Sequence, residues 1–108
     1  MHKLPNLPYK YDELEPYIDA KTMEIHHSKH HQTYIDKLNE AVKSTKFENI
    51  EVIELLKDLS KVPENIRTAV RNHGGGVYNH TIFWQMMSPN GSKPTEDVLK
   101  KITATFGG

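Results

Sequence analysis

A chain of 108 residues with 36% hydrophobic content and a mean hydropathy of −0.68 holds material for one small core, or for half of a larger one. Its 14 basic and 14 acidic side chains cancel, so no global field draws it to nucleic acid or an anionic membrane, and neither partner is expected. Cysteine is absent, which excludes disulfides, thiolate metal sites and cysteine nucleophiles and suits a reducing compartment; with no apolar run near the roughly 20 residues of a membrane span and no signal-like start, a cytoplasmic protein is expected.

The opening Leu4-Pro5-Asn6-Leu7-Pro8-Tyr9-Lys10-Tyr11 carries two prolines among large apolar groups, which predicts an extended strap laid over another surface. After Pro16, Asp19 is placed to cap a helix. Met23, His27, His30, His31, Tyr34, Leu38, Ala41 and Val42 then recur at spacings of three and four, predicting one long amphipathic helix over 20–43. Ser44, Thr45 and Lys46 break it. Val52, Ile53, Leu55, Leu56 and Leu59 mark a connecting helix of about ten residues.

Pro63 sits where a helix N-terminus tolerates proline, and Ile66, Val70, Val77, His80, Thr81 and Trp84 continue a helical stripe to the Met87-Ser88-Pro89 stop. Gly74, Gly75 and Gly76 interrupt that stripe, each costing roughly 1 kcal/mol relative to alanine in a helix interior. Because the pattern resumes directly, the helix is expected to run through them, with the missing side chains admitting a close neighbour. The stretch 89–94 reads as a linker. Thr95 then caps a last helix through Val98, Leu99, Ile102 and Phe106, and Gly107-Gly108 fits its end. The expected fold is all-α: an antiparallel hairpin of two long helices, a short connecting helix and a further C-terminal helix.

Histidine is the anomalous count, with seven residues, four of them within 26–31. On an α-helix His26 and His30 share one face with Tyr34, while His27 and His31 share the neighbouring face, about 100° away. Both sets cannot point equally well at one small site. Imidazole is a frequent transition-metal ligand, yet one His-x-x-x-His is equally compatible with a partly solvated face. His80 stands in the apolar stretch Asn79-His80-Thr81-Ile82-Phe83-Trp84, where an unpartnered imidazole costs on the order of 1–3 kcal/mol. It needs either a carbonyl partner or a metal. Trp84, one turn on, would wall such a site or simply fill the core.

Leu4-Pro5-x-Leu7-Pro8-Tyr9, then Met23-Glu24-Ile25-His26-His27-x-Lys29-His30-His31-x-x-Tyr34, then Asn79-His80-Thr81-Ile82-Phe83-Trp84 resembles the N-terminal half of an iron/manganese superoxide dismutase. The resemblance runs through nearly the whole chain in order and spacing. It implies that His26 and His80 are metal ligands, that His30 and Tyr34 belong to the access funnel and proton-delivery network, and that Trp84 is an aromatic wall. His31 and Asn79 take supporting positions near the site or a subunit interface. Superoxide is the implied substrate, and a homo-oligomer the implied assembly. Residues 1–89 would be the helical-hairpin domain, and 90–108 a linker and the first helix of a C-terminal domain.

The same resemblance implies an aspartate and a third histidine from an Asp-x-Trp-Glu-His-Ala-Tyr type motif in a C-terminal α/β domain. The 108 residues contain no such motif, and Trp84 is the sole tryptophan. A truncated chain or fragment is therefore expected, with weak or no dismutation on its own. Gly76, four residues before His80, favours manganese in this family, while Val77-Tyr78 is closer to the iron pattern; manganese first and iron second is the resulting order. Two other readings stand beside the enzyme. In one, two copies about a twofold axis each give His26 and His80 to a four-histidine site; in the other, the chain is a helical interaction module without catalysis.

Overall fold

Each long helix forms because an apolar stripe has the other to cover it. The computed structural model describes residues 1–107. In chain order it contains α1 (Ala20–Ile25), a π-helical turn (His26–His31), α2 (Gln32–Val42), α3 (Val52–Lys57), a 3-10 turn (Leu59–Lys61), α4 (Glu64–Met86) and α5 (Glu96–Phe106). No strand occurs among the described residues, so the all-α expectation stands. Leu38 faces Gly74, Tyr34 faces Gly76 and His31 meets Trp84, so α2 and α4 run in opposite directions. Among the described residues, no helix is long and apolar enough to cross a membrane.

Three local features differ from the sequence pattern. The first long helix spans 20–42, but its ladder widens to a π turn at His26–His31; the helix stops because Lys43 turns extended (φ −54°, ψ 133°) and Ser44 takes φ 62°. The connecting helix is six residues rather than about ten. It breaks at Asp58 (φ −142°, ψ 78°), whose carboxylate accepts the Ser60 hydroxyl, a local bond that competes with helical continuation. Asp19 does occupy the N-cap position of α1, yet its carboxylate accepts from the Thr22 hydroxyl, and Glu15 takes the Ala20 N–H at 2.9 Å instead.

The hairpin has two cores. Ile35, Leu38, Val42, Phe47, Leu55, Val62, Val70 and Val77 form an aliphatic cluster between α2, α3 and α4. Leu14, Met23 and Trp84 form a second, beside the histidines. The strap ties both ends together. Asn39 clasps the His2 backbone, accepting from its N–H and donating to its carbonyl, both at 2.9 Å. Tyr9 donates its hydroxyl to the Trp84 carbonyl at 2.9 Å.

Met87 still packs on the Leu14, Met23 and Trp84 cluster, and the linker to α5 follows. In α5 the Thr95 hydroxyl caps the Val98 N–H at 3.3 Å, and Gly107 closes the helix at φ 81°. Gly108, the second residue of the expected helix end, lies outside the described residues. No residue of α5 is buried, and Val98, Leu99, Ile102 and Phe106 all face solvent.

Candidate metal centre

The π turn decides which histidines meet. In an α-helix, residues five apart are offset around the axis; with bonds to i+5 they come onto one face. His26 and His31 accordingly both reach His80 on α4: the His26 and His80 ring centroids are 4.9 Å apart at 87°, and His31 stacks on His80 at 5.4 Å and 30°. His30 also meets His80, at 4.9 Å and 82°, and stacks on His26 at 5.2 Å. An ideal α-helix predicted that His26 with His30 and His27 with His31 could not share one focus. The wider turn lets three of the four converge on His80, and only His27 points elsewhere.

Hydrogen bonds then fix the tautomers. The carbonyl of Gly76 can only accept, so His80 donates Nδ1–H to it at 2.7 Å, leaving its Nε2 lone pair free. This backbone tether is the kind of partner that orients a metal-binding imidazole and raises its basicity. His31 accepts the Trp84 Nε1–H at Nδ1, 3.0 Å away, and is fully buried. Its Nε2 has no hydrogen-bond partner; the Val77 carbonyl faces the ring without completing a bond. His27, also buried, donates Nε2–H to the Pro5 carbonyl at 2.7 Å and accepts the Tyr11 hydroxyl at Nδ1, 2.9 Å away. It anchors the strap.

Burial disfavours the charged form of two rings, His31 and His26. Desolvation, followed by the nearby His80 and His27, holds His31 down to about 4, against a weak opposing pull from Val77. His26 is lowered by burial first, then by His80 and His30. Neutral imidazole is the form that ligates a metal.

Of the other sequence candidates, Tyr34 packs its ring 5.3 Å from both His30 and His80. It lies flat on α4 because Gly76 has no side chain: a Cβ there would sit 2.3 Å from the Tyr34 ring. The glycine run thus has one clear purpose at Gly76. Gly74 sits in ordinary contact with Leu56 and Leu38, and Gly75 faces open space. Asn79 is exposed at the rim of an open cleft of about 270 Å³, which it lines with His26, His80 and Phe83. Trp84 stands edge-on to His26 at 4.8 Å.

Sequence reasoning missed Phe83 and the Tyr11–His27 link. Phe83 is 40% exposed and packs 5.8 Å from His26 on the cleft; its apolar character beside His80 was the available signal. Nothing local marks Tyr11, because its partner is 16 residues away.

The residues fit a metal ion. His26, His30 and His80 each offer a ligand atom, and these atoms lie within 4.8 Å of one another. The donor set is all imidazole, one ring is tethered by a carbonyl, and the walls are aromatic. Imidazole donors of this kind suit zinc, copper, iron and nickel, and with carboxylate help also manganese.

Comparison with known proteins agrees with the motifs. Residues 1–88 match the family described as iron/manganese superoxide dismutases, alpha-hairpin domain. Among similar proteins are those named superoxide dismutase Mn/Fe 2 from Staphylococcus aureus strains Mu50 and N315, each 52% identical over 105 residues. The match covers 97% of this chain and 52% of the relatives, so the chain spans about half the length of the curated relatives it matches. It belongs to the iron/manganese superoxide dismutase family and carries that family's α-hairpin domain.

Proposed function

We propose that this chain is the N-terminal part of a superoxide dismutase and that His26 and His80 supply two ligands to a redox-active manganese or iron ion. The observation that carries this reading is the Gly76 carbonyl holding His80 by Nδ1 at 2.7 Å, with the ligand atoms of His26 and His80 gathered in one cluster. When bound, the ion would pass one electron from a superoxide, giving dioxygen, to a second superoxide, which with two protons becomes hydrogen peroxide. Gly76 order, with manganese ahead of iron, follows the sequence reading.

The protein's own residues shape access and proton supply. His30 and Tyr34, their rings 5.3 Å apart beside His80, narrow entry to a small anion and present an imidazole and a phenol able to relay protons. The Trp84 indole holds His31 by one hydrogen bond, and His31 in turn supports the face of His80. Trp84 and Phe83 flank His26 with aromatic surface. Asn79 occupies the rim.

The reading extends to a homo-oligomeric, cytoplasmic enzyme, with a domain boundary at Pro89 where α4 has ended and the linker begins. An aspartate and a third histidine would complete the ligand set from a C-terminal domain, as the family motif implies. A chimera tests it: residues 1–88 replace the matching hairpin of the Staphylococcus aureus relative. The expected result is superoxide turnover with bound manganese or iron, and loss of both metal and at least 100-fold of turnover in His80→Ala. A folded chimera that retains neither metal contradicts the proposal. The 108-residue chain alone is expected to show weak or no dismutation, and turnover near that of the intact relative would count against a missing ligand half.

A further inference from the structure

The cluster holds one more potential ligand than the proposed function uses. We infer that in this 108-residue chain His30 joins His26 and His80 as a third metal ligand, forming a site that takes zinc(II) or cobalt(II) in preference to manganese(II). The inference rests on the reading of His26 and His80 as ligands and goes beyond it, because there His30 only narrows access and relays protons.

Three observations carry it. The ligand atoms of all three rings already lie within 4.8 Å of one another. A tetrahedral ion with nitrogen ligands at about 2.0–2.1 Å sets them about 3.4 Å apart. The difference to be closed is roughly 1.4 Å at most, and His30, the exposed member of the three, has solvent space in which to turn. His26 and His30 are also four apart and stacked at 5.2 Å with 24° between planes, so one helix face presents both toward His80 on the facing helix.

The third observation is chemical. All three donors are imidazoles, and no carboxylate joins the group among the described residues. Three neutral nitrogens with an open fourth position for water is a known zinc arrangement. Affinity of such a set rises from manganese(II) through cobalt(II) and remains high for zinc(II), whereas manganese(II) favours oxygen ligands. The hairpin by itself therefore selects a metal different from the one its complete ligand set is proposed to hold. His80 enters pre-oriented by Gly76, which limits the rearrangement to the π turn.

Titration of the 108-residue chain with cobalt(II), followed by zinc(II) competition, tests this. The expected result is one ion per chain, the intense visible absorption of tetrahedral cobalt, zinc binding at least 100-fold tighter than manganese binding, and at least tenfold weaker zinc binding in both His30→Ala and His80→Ala, each checked for folding by circular dichroism. His30→Gln, which retains a polar side chain of similar reach, is expected to weaken zinc as His30→Ala does. Loss of binding in His80→Ala with unchanged binding in His30→Ala overturns the third ligand and leaves the His26 and His80 reading standing. Unchanged binding in both variants overturns both readings. One ion per two chains overturns the single-chain site in favour of a four-histidine dimer.

Discussion

The two ends of the hairpin are held by different physics. At the loop end, Leu38, Val42, Val62 and Val70 are essentially inaccessible, with aliphatic side chains that form no hydrogen bonds; their contribution is area removed from water and close packing. At the strap end the same two helices are joined through imidazoles, an indole and a phenol, whose hydrogen bonds fix orientation as well as contact. The aliphatic end tolerates any tautomer because it has none. The imidazole end works only if His27 and His80 each donate from one chosen nitrogen and His31 accepts at Nδ1. A hairpin can thus hold its helices together at one end and present chemistry at the other.

The largest effect is expected where only packing operates. Leu38→Ala should destabilise by about 2–5 kcal/mol, the range for emptying a fully buried aliphatic site, read as a lower denaturant midpoint at unchanged m-value. A cost below about 1 kcal/mol would show that the aliphatic end is not the main source of stability. Next comes Gly76→Ala, whose new Cβ would meet the Tyr34 ring at 2.3 Å; overpacking of this kind costs about 1–3 kcal/mol. Combining it with Tyr34→Ala should recover part of the loss, and strictly additive costs would show that the two residues do not compete for the same space.

Trp84→Phe probes the imidazole end alone. It removes the donor to His31 while keeping an aromatic ring, leaving a fully buried nitrogen unpaired, at a cost of about 1–3 kcal/mol. Equal stability of the two proteins would remove the indole bond from the account of that end. The smallest effect has the opposite sign. Gly75→Ala meets nothing within 4 Å and gains helix propensity, so the melting temperature should rise by the equivalent of roughly 0.8–1 kcal/mol. A fall would mean that α4 needs a bare backbone at Gly75 as well as at Gly76.

Much of this architecture is legible in one dimension. Apolar residues at spacings of three and four marked both long helices, Thr95 marked the start of α5, and resumption of the stripe after Gly76 showed that α4 continues. The connecting helix was read too long because Leu59 keeps the apolar rhythm, whereas the break comes from the Asp58–Ser60 side-chain bond. Asp19 was read as a cap by residue type, but the position of Glu15, set by the turn before it, decided which carboxylate serves the first helical N–H.

The sequence by itself determined that a histidine-rich first helix would face a second helix carrying His80, because hydrophobic periodicity is a local property and the family motifs are strings of neighbours. Only the tertiary structure decided how those histidines are shared out. The π turn moved His31 toward His80, Gly76 admitted Tyr34 and fixed His80, and Tyr11 with Pro5 drew His27 away to the strap. Helix register and hydrogen-bond partners across 16 to 53 residues arise from packing, where a change of one residue per turn redirects a whole ring.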